Sequence, residues 1–238
     1  MRIPRPDISV LHFFLPDLCP ACLSARTGAT NSVCDTCNQS LPELPSDRCA
    51  LCGCAADSIL DICGECLETG GRPWTQAVSV FEYGGKLRQL IHRFKYHGAT
   101  HLAPWFGTRM AANWGEHGGD SPIDAVAAVP LHPIKALLRG YNQAELLART
   151  VARQLEKPII RPLRRHRLAR QQALLDFSRR KANVKDVFGA RDTALADGAH
   201  ILLVDDVMTT GSTLAAATRI LLQQHHAASV SILTLARG

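Results

Sequence analysis

The sequence lacks several features that would place it in a class at once. It has no run of 18 apolar residues, so no membrane-spanning helix is expected. Residues 1–16 hold a short apolar patch that Asp7 and His12 interrupt, and no small-residue cleavage site follows, which argues against a secretory signal peptide. No G-x-x-x-x-G-K-[ST] motif occurs, which excludes a Walker-type nucleotide loop.

Cysteine is absent from the whole chain after residue 66. All nine cysteines precede that point, and eight of them form four C-x-x-C pairs separated by 11, 11 and 10 residues. Two such pairs complete a tetrahedral Zn(Cys)₄ site, so residues 1–70 are predicted to be a double zinc-ribbon module with one or two structural zinc ions. The eight predicted ligands are Cys19, Cys22, Cys34, Cys37, Cys49, Cys52, Cys63 and Cys66.

A disulfide framework is the competing interpretation of these pairs. It requires an oxidising compartment, and no export signal supports one, so zinc is favoured. The spacing leaves open which pairs share a metal, because successive pairs or interleaved pairs both complete a set of four. Cys54 breaks the pattern and is predicted to be a bystander.

The charge is unevenly distributed along the chain. The net charge is +6, yet residues 1–70 carry four Lys/Arg and nine Asp/Glu, a net −5, whereas residues 130–186 carry fourteen and four, a net +10. The acidic cysteine module therefore suits a structural or protein-contact role better than nucleic-acid binding. The basic segment suits a polyanionic small molecule or a nucleic-acid strand. Its aromatic residues are few (Tyr141 and Phe177), which argues against a base-stacking platform.

The composition changes after residues 70–73, a predicted linker, and residues 73–238 are expected to form a second domain. Apolar periodicity there predicts strands at 75–83, 123–129, 201–204 and 229–235, and helices at 86–96, 102–114, 142–155 and 213–223. Strands that alternate with helices predict an α/β fold, a parallel sheet with helices on both faces. Ligands in such sheets bind beyond the carboxyl ends of the strands.

Residues 201–213, ILLVDDVMTTGST, carry the strongest chemical signal. A buried strand is expected to end in Asp205 and Asp206, and a turn of small hydroxylated residues then leads into a helix. The free N–H groups of a helix start bind anions, and Gly211 allows close approach of a phosphate. The carboxylates suit sugar hydroxyls or Mg²⁺. An ordinary capped helix would explain the Ser and Thr residues but not two adjacent carboxylates.

This arrangement resembles the 5-phosphoribosyl-1-pyrophosphate (PRPP) signature of type I phosphoribosyltransferases. Two further segments fit such a site. Residues 129–148 are predicted to run from a strand through a proline-rich turn, which places Lys135 and Arg139 beside another strand end. Asn142 then caps a helix, with Glu145 three residues on; a turn and a cap alone would also explain this segment. Residues 170–188 are basic, as in a mobile loop over an anionic site or in a solvated basic helix.

Taken together, these segments resemble the ComF/GntX family, and the resemblance covers nearly the whole chain. The matching elements are CPAC at 19–22, YGGKLRQLIHRFKYHG at 83–98, VPLHP at 129–133, RGYNQAELLA at 139–148, the spaced residues Gln172, Leu175, Arg180, Asn183, Val184 and Phe188, and ILLVDDVMTTGST at 201–213. The chain departs from the family pattern in having RGYN where RGFN is commoner, and in the additional Cys54.

The resemblance implies a type I phosphoribosyltransferase fold, a link to competence or the use of external DNA, and a bacterial cytoplasmic location. The expected activity is Mg²⁺-dependent phosphoribosyl transfer from PRPP to an undefined acceptor, with Asp205, Asp206 and Arg139 as catalytic residues. Asp205 and Asp206 would hold the ribose, and Arg139 and Lys135 would face the pyrophosphate. The 5-phosphate would lie on Thr209, Thr210, Gly211, Ser212 and Thr213. The alternative is a non-enzymatic module that binds single-stranded DNA or a competence protein.

Overall fold

A parallel sheet forms the centre of the molecule. The computed structural model describes residues 18–24, 33–56, 61–120, 122–165, 187–191 and 198–238. In these ranges five parallel strands pair in the order β1-β7-β6-β2-β3, and two short strands, β4 and β5, form an antiparallel hairpin. The strands are β1 (Ala77–Glu82), β2 (Ala125–Ala128), β3 (Ile159–Ile160), β4 (Leu163–Arg165), β5 (Phe188–Ala190), β6 (His200–Met208) and β7 (Ser229–Arg237).

Helices cover both faces of this sheet. Those in the described ranges are α1 (Asp35–Gln39), α2 (Gly64–Glu68), α3 (Gly85–Tyr96), α4 (Leu102–His117), α5 (Pro133–Arg139), α6 (Gln143–Gln154) and α7 (Ser212–Gln224). Helix α3 buries Leu87, Leu90, Ile91 and Phe94, which recur at helical spacing. None of the described helices combines the length and the apolar character that crossing a membrane requires.

The alternation of side chains along β6 divides the core into two parts. Leu202 and Val204 pack on one face, in the same apolar cluster as the buried residues of α3, α4 and α6. Ile201 and Leu203 pack on the other face, with α7 and the hairpin. A strand that is apolar on both faces is typical of the centre of a parallel sheet, which confirms the predicted α/β architecture.

The two halves of the cysteine segment pack on opposite faces of the sheet. Cys19 and Cys37 join the cluster of α3 and α4, whereas Cys49, Cys52 and Cys66 join the cluster of α7. The cysteine-rich segment is thus packed against the sheet domain on both sides. The division of the chain at residues 70–73 stays a prediction.

The segment between the two halves runs alongside β1, the first strand of the sheet order. The N–H of Leu44 donates to the carbonyl of Val80 at 3.1 Å, and the N–H of Glu82 donates to the carbonyl of Pro42 at 2.8 Å. These bonds occupy backbone groups of β1 on the side away from β7.

Two elements differ from the sequence-based expectation near the site. Strand β6 continues to Met208, so both acidic residues lie within the strand rather than after it; pairing with β7 extends as far as Met208↔Arg237. Residues 133–139 form α5 rather than a proline-rich turn, because Pro133 occupies the first turn of a helix, where its missing N–H costs nothing. Residues 166–186, most of the basic segment 170–188, lie outside the described residues.

Candidate functional site

Asp205 and Asp206 are neighbours on β6 that face different surroundings. Successive side chains of a strand point to opposite faces, so Asp206 lies on the α3 side and Asp205 on the hairpin side. The backbone N–H of Asp206 donates to Oδ1 of Asp205 at 2.8 Å. Burial raises the pKa of Asp205 to about 7, and the adjacent charge of Asp206 adds to this shift.

Each of the two carboxylates has a cation on its own side. Lys95 Nζ lies 3.0 Å from Oδ1 of Asp206. Arg165, on β4, faces Asp205: the charge of Asp205 favours the charged guanidinium, while burial lowers the pKa of Arg165. The Arg165 guanidinium also lies over the ring of Phe188 at 5.2 Å. No sequence motif indicates a site role for Lys95 or Arg165, although Lys95 lies within the family segment at 83–98.

The loop after β6 leads directly into the N-terminus of α7. Gly211 is the N-cap residue of α7 and has φ +74°, a left-handed conformation that glycine adopts without strain. Thr210 Oγ1 donates to Ser212 Oγ at 3.1 Å and accepts from the Ser212 N–H at 3.4 Å. Thr209, Thr210 and Ser212 are exposed and Thr213 is half-buried. The loop thus presents hydroxyls and the N–H groups of a helix start, which together favour an anion.

Two arginines hold the carbonyl side of this phosphate loop (residues 209–213). Arg72 Nη1 donates to the carbonyl of Thr210 at 3.0 Å, and Arg237 Nη1 donates to the carbonyl of Thr209 at 2.6 Å. Both guanidinium groups also pair with Glu65 of α2, at 3.0 Å and 3.6 Å. Because the two arginines occupy the carbonyls of Thr209 and Thr210, the groups of the loop that suit a ligand are its N–H and hydroxyl groups. No motif in the sequence pointed to these arginines, which lie far apart in the chain.

Lys135 and Arg139 both lie on α5, between β2 and α6. Lys135 is exposed. Arg139 donates to Gln143 Oε1 at 3.1 Å and to Tyr96 Oη at 3.0 Å, and its guanidinium stacks 4.6 Å from the Tyr96 ring centre. Arg139 is therefore held beside the C-terminal end of α3, the helix that also carries Lys95. That these two residues face a pyrophosphate stays a prediction.

Asn142 is the N-cap of α6, as the sequence predicts. Its Oδ1 accepts from the N–H of Ala144 at 3.2 Å, and its Nδ2 donates to the carbonyl of Val129 at 3.0 Å, which fixes the start of α6 against the end of β2. The predicted partner Glu145 instead accepts from the side chains of Arg149 and Arg161.

The eight paired cysteines form two tetrads from successive pairs. Cys19, Cys22, Cys34 and Cys37 form the first tetrad, and Cys49, Cys52, Cys63 and Cys66 form the second. Within each tetrad all four sulfur atoms lie within 4.8 Å of one another. This outcome selects successive over interleaved pairs.

The donor set of each tetrad fits zinc. Four thiolates at Zn–S bonds of about 2.3 Å in a tetrahedron lie about 3.8 Å apart, and the Sγ atoms of Cys22 and Cys34 are separated by 3.8 Å. The N–H groups of Ala21 and Cys34 donate to Cys19 Sγ at 3.4 and 3.3 Å. Hydrogen bonds from the Ser24 side chain lower the pKa of Cys22 to about 6, which favours the metal-binding thiolate.

Cys54 lies beside the second tetrad without being part of it. Its Sγ is 3.3 Å from the Sγ of Cys52 and also interacts with the Cys63 side chain, but the four-sulfur set consists of Cys49, Cys52, Cys63 and Cys66. The predicted role of Cys54 as a bystander stays a prediction.

Known proteins show clear similarity to this chain. The phosphoribosyl transferase domain family model matches residues 142–238. The chain is 30% identical over 227 residues to the DNA utilization protein YhgH of Escherichia coli K12, covering 94% of this chain and 98% of that protein. It is 28% identical over 216 residues to the competence protein ComFC of Bacillus subtilis 168, covering 87% and 84%. A solved adenine phosphoribosyltransferase is 16% identical and covers 63% of this chain and 75% of that one, with a TM-score of 0.36.

Proposed function

The chain belongs to the ComF family of the YhgH and ComFC proteins, and from that premise we propose that it binds PRPP together with Mg²⁺ as a phosphoribosyltransferase-type protein of competence or DNA use. Its two cysteine tetrads bind structural zinc in this proposal. Zinc requires reduced thiols, which agrees with the expected location in the bacterial cytoplasm.

One observation carries the proposal: the acid pair and the anion-binding loop belong to one continuous strand, loop and helix. Asp205 and Asp206 lie near the C-terminal end of β6, and Gly211 caps the start of α7 a few residues later. A sugar with a terminal phosphate has this same order of groups, hydroxyls at one end and a dianion at the other. The carboxylates accept from the ribose hydroxyls, and the loop donates to the 5-phosphate.

The surrounding cations suit the remaining charge of PRPP. Lys95 and Arg165 offset the two carboxylates, so the acid pair does not repel a polyanion as strongly as two bare charges would. Lys135 and Arg139 supply positive charge for the pyrophosphate. Mg²⁺, when bound together with PRPP, would supply further positive charge to neutralise the charge that develops on the leaving group.

The proposed transfer breaks the bond between ribose C1 and the pyrophosphate oxygen and forms a bond from C1 to the acceptor. The ribosyl centre becomes positively charged as the bond breaks, and pyrophosphate leaves with the electron pair. Positioning and electrostatic stabilisation carry such a step, so the protein needs no nucleophile of its own.

Isothermal titration calorimetry of the zinc-loaded protein with PRPP, with and without Mg²⁺, tests the donor site. We expect micromolar-range binding that requires Mg²⁺, and its loss in the variant Asp205→Asn with Asp206→Asn. A variant of two exposed carboxylates on and after α4, Glu116→Gln with Asp120→Asn, is the matched control and is expected to bind normally. Normal PRPP binding by the Asp205/Asp206 variant would show that the site is wrongly assigned.

A second function, binding of single-stranded DNA, is favoured by the net +10 charge of residues 130–186. Binding driven by phosphate neutralisation weakens steeply between about 50 and 200 mM salt. The two functions are compatible, and the Asp205/Asp206 variant separates them: it is expected to lose PRPP while binding a dT oligonucleotide as well as before, or more tightly because two negative charges are gone.

A further inference from the structure

A cavity of about 1000 Å³ opens between the first cysteine tetrad and helix α3. One wall consists of residues around the first C-x-x-C pair, namely Leu18, Pro20 and Leu23. The opposite wall is the outward face of α3, including Arg88 and His92. The buried face of α3 packs on the sheet, and in the part of the chain that the structure describes Arg88 and His92 on the outward face are exposed.

The side chains that line the cavity are strongly biased in charge. Among the described residues they include two arginines and three histidines and no carboxylate; the five are Arg88, His92, Arg93, His97 and His101. Arg93 has a structural bond, since its Nη1 donates to the carbonyl of Pro20 at 2.7 Å and so joins the two walls. Arg88 is exposed on the same wall. A concave surface with this lining favours an anion, and guanidinium groups match phosphate in particular.

Aromatic rings and apolar side chains lie along the same cavity as these basic residues. The His92 ring lies 4.8 Å from the Tyr96 ring and 5.2 Å from the His97 ring, which gives a row of three rings along one side of α3. Leu18 and Leu23, on the other wall, keep 49% and 55% of their surface exposed. A ligand that uses both kinds of lining has a planar ring as well as an anionic group.

We infer that this cavity binds a nucleoside phosphate, with the phosphate at Arg88 and the base against the His92 ring and the exposed leucines. The volume lies at the upper end of the range for small-ligand pockets, which accommodates one nucleotide or the phosphorylated end of a short strand. Two sources can supply this chemistry: a free nucleotide, or the 5′-phosphate end of an oligonucleotide.

The cavity is separate from the proposed donor site. None of its lining residues belongs to the acid pair, the phosphate loop or residues 130–186. The inference therefore does not depend on PRPP binding, and either can fail without the other.

Calorimetric titration of the zinc-loaded full chain with thymidine 5′-monophosphate, and separately with 5′-phosphorylated trithymidylate, tests the inference. The test variant is Arg88→Ala with His92→Ala; both side chains are exposed, so the fold is expected to persist. Arg219→Ala, which changes an exposed arginine on α7 outside residues 130–186, is the matched control. Loss of a charge-assisted phosphate contact is expected to weaken binding about tenfold or more.

We expect wild type, Arg219→Ala and the Asp205/Asp206 double variant to bind with equal affinity, and Arg88→Ala with His92→Ala to bind weakly. Binding of the mononucleotide identifies free nucleotides as the source, and binding of the trinucleotide alone identifies strand ends. Arg88→Glu, which changes a single exposed side chain, is expected to give an even larger loss. Equal affinity in the Arg88 variants and the wild type, or no binding of either probe, would overturn the inference.

Discussion

Lys95 Nζ lies 3.0 Å from Asp206 Oδ1, and this ion pair joins the C-terminal end of α3 to the end of β6. Both side chains are largely shielded from water, at 21% and 13% exposure. Asp205 and Asp206 are adjacent, and Lys95 offsets part of the negative charge of these two carboxylates. We therefore expect the pair to contribute both to the stability of the site and to its affinity for the proposed anionic ligand.

Removing this cation is expected to destabilise the protein. Lys95→Met leaves a shielded carboxylate unpaired, and we expect a loss of about 1–3 kcal/mol in the free energy of unfolding, between the values for exposed and buried pairs. Urea unfolding at neutral pH measures it. Lys95→Arg is expected to restore most of the loss. In the Asp206→Asn background Lys95→Met should cost at least about 1 kcal/mol less; equal costs in both backgrounds would show that the pair is not coupled.

Stability is expected to fall as the pH rises from about 4 to about 7. The pKa of Asp205 is raised to about 7 by burial, above the value of about 3.9 in an unfolded chain. Between these values the folded state holds a proton that the unfolded state has lost, so its stability decreases with rising pH. Asp205→Asn removes this decrease.

The Asp205→Asn variant is therefore expected to match wild type near pH 4 and to be more stable at pH 8. A gain of about 1 kcal/mol or more corresponds to a rise in Tm of about 2–4 °C. Thermal unfolding at both pH values measures it, with the exposed Asp120→Asn as control. If Asp205→Asn were less stable than wild type at pH 8, the raised pKa of Asp205 would be contradicted.

The phosphate loop is expected to require glycine at position 211. Gly211 has φ +74°, and an added Cβ would lie 3.0 Å from Cη2 of Trp74. Gly211→Ala is therefore expected to cost about 1–3 kcal/mol of stability and to weaken PRPP binding, because the loop must shift. Gly115→Ala on α4, where an added Cβ meets nothing, is the matched control and is expected to stabilise the protein slightly. Unchanged PRPP affinity in Gly211→Ala would show that the loop does not bind the 5-phosphate of PRPP.

Loss of the second tetrad is expected to affect the phosphate loop more than loss of the first. Glu65, two residues from Cys63, pairs with Arg72 and Arg237, and these arginines hold the loop carbonyls. We expect Glu65→Gln to weaken PRPP binding several-fold. Cys63→Ser with Cys66→Ser should weaken it about tenfold or more, since charged contacts are lost.

Cys19→Ser with Cys22→Ser is the comparison for this prediction, because the first tetrad packs on the other face of the sheet. It is expected to leave PRPP affinity within a few-fold of wild type. Equal losses from both tetrads in calorimetric titrations would argue for global destabilisation rather than for a specific connection through Glu65.

Metal analysis of the purified protein is expected to give two zinc ions per chain. Cys19→Ser with Cys22→Ser should reduce this to one, because it removes half of one tetrad. Cys54→Ser should leave it at two, since Cys54 lies outside the four cysteines whose sulfur atoms form the second tetrad. A zinc content below two in Cys54→Ser would make Cys54 a ligand.

The strands, helices and cysteine pairs were readable from the sequence because each leaves a local pattern. The stripe of α3, the apolar run of β6 and the N-cap Asn142 all depend on residues close in the chain. The extension of β6 through Asp205 and Asp206 was missed because pairing with β7, rather than the polarity of β6 itself, sets its end. Pro133 was interpreted as part of a turn because proline is equally at home in the first turn of a helix.

The partners of the site could not be read from the sequence, since they come from distant segments. Lys95, Arg165, Arg72 and Arg237 are ordinary basic residues in a chain with 27 of them. Only the fold brings them to the end of β6. Spacing also could not distinguish successive from interleaved cysteine pairs, because the gaps between pairs are nearly equal.

The contacts of residues 42–44 with β1 have a consequence for how the protein behaves without metal. β1 is one of the two edge strands of the sheet, and the backbone of Pro42 and Leu44 forms hydrogen bonds with its exposed edge. These residues lie between the two tetrads, so release of zinc would remove one of their attachments, beside the contacts of Arg48 with Leu44 and of Arg109 with Glu43. Detachment of the segment would expose an unpaired strand edge. Such an edge is a template for a strand from another molecule. The cysteine segment thus covers a strand edge, and we expect metal-depleted protein to be more prone than zinc-loaded protein to intermolecular sheet growth.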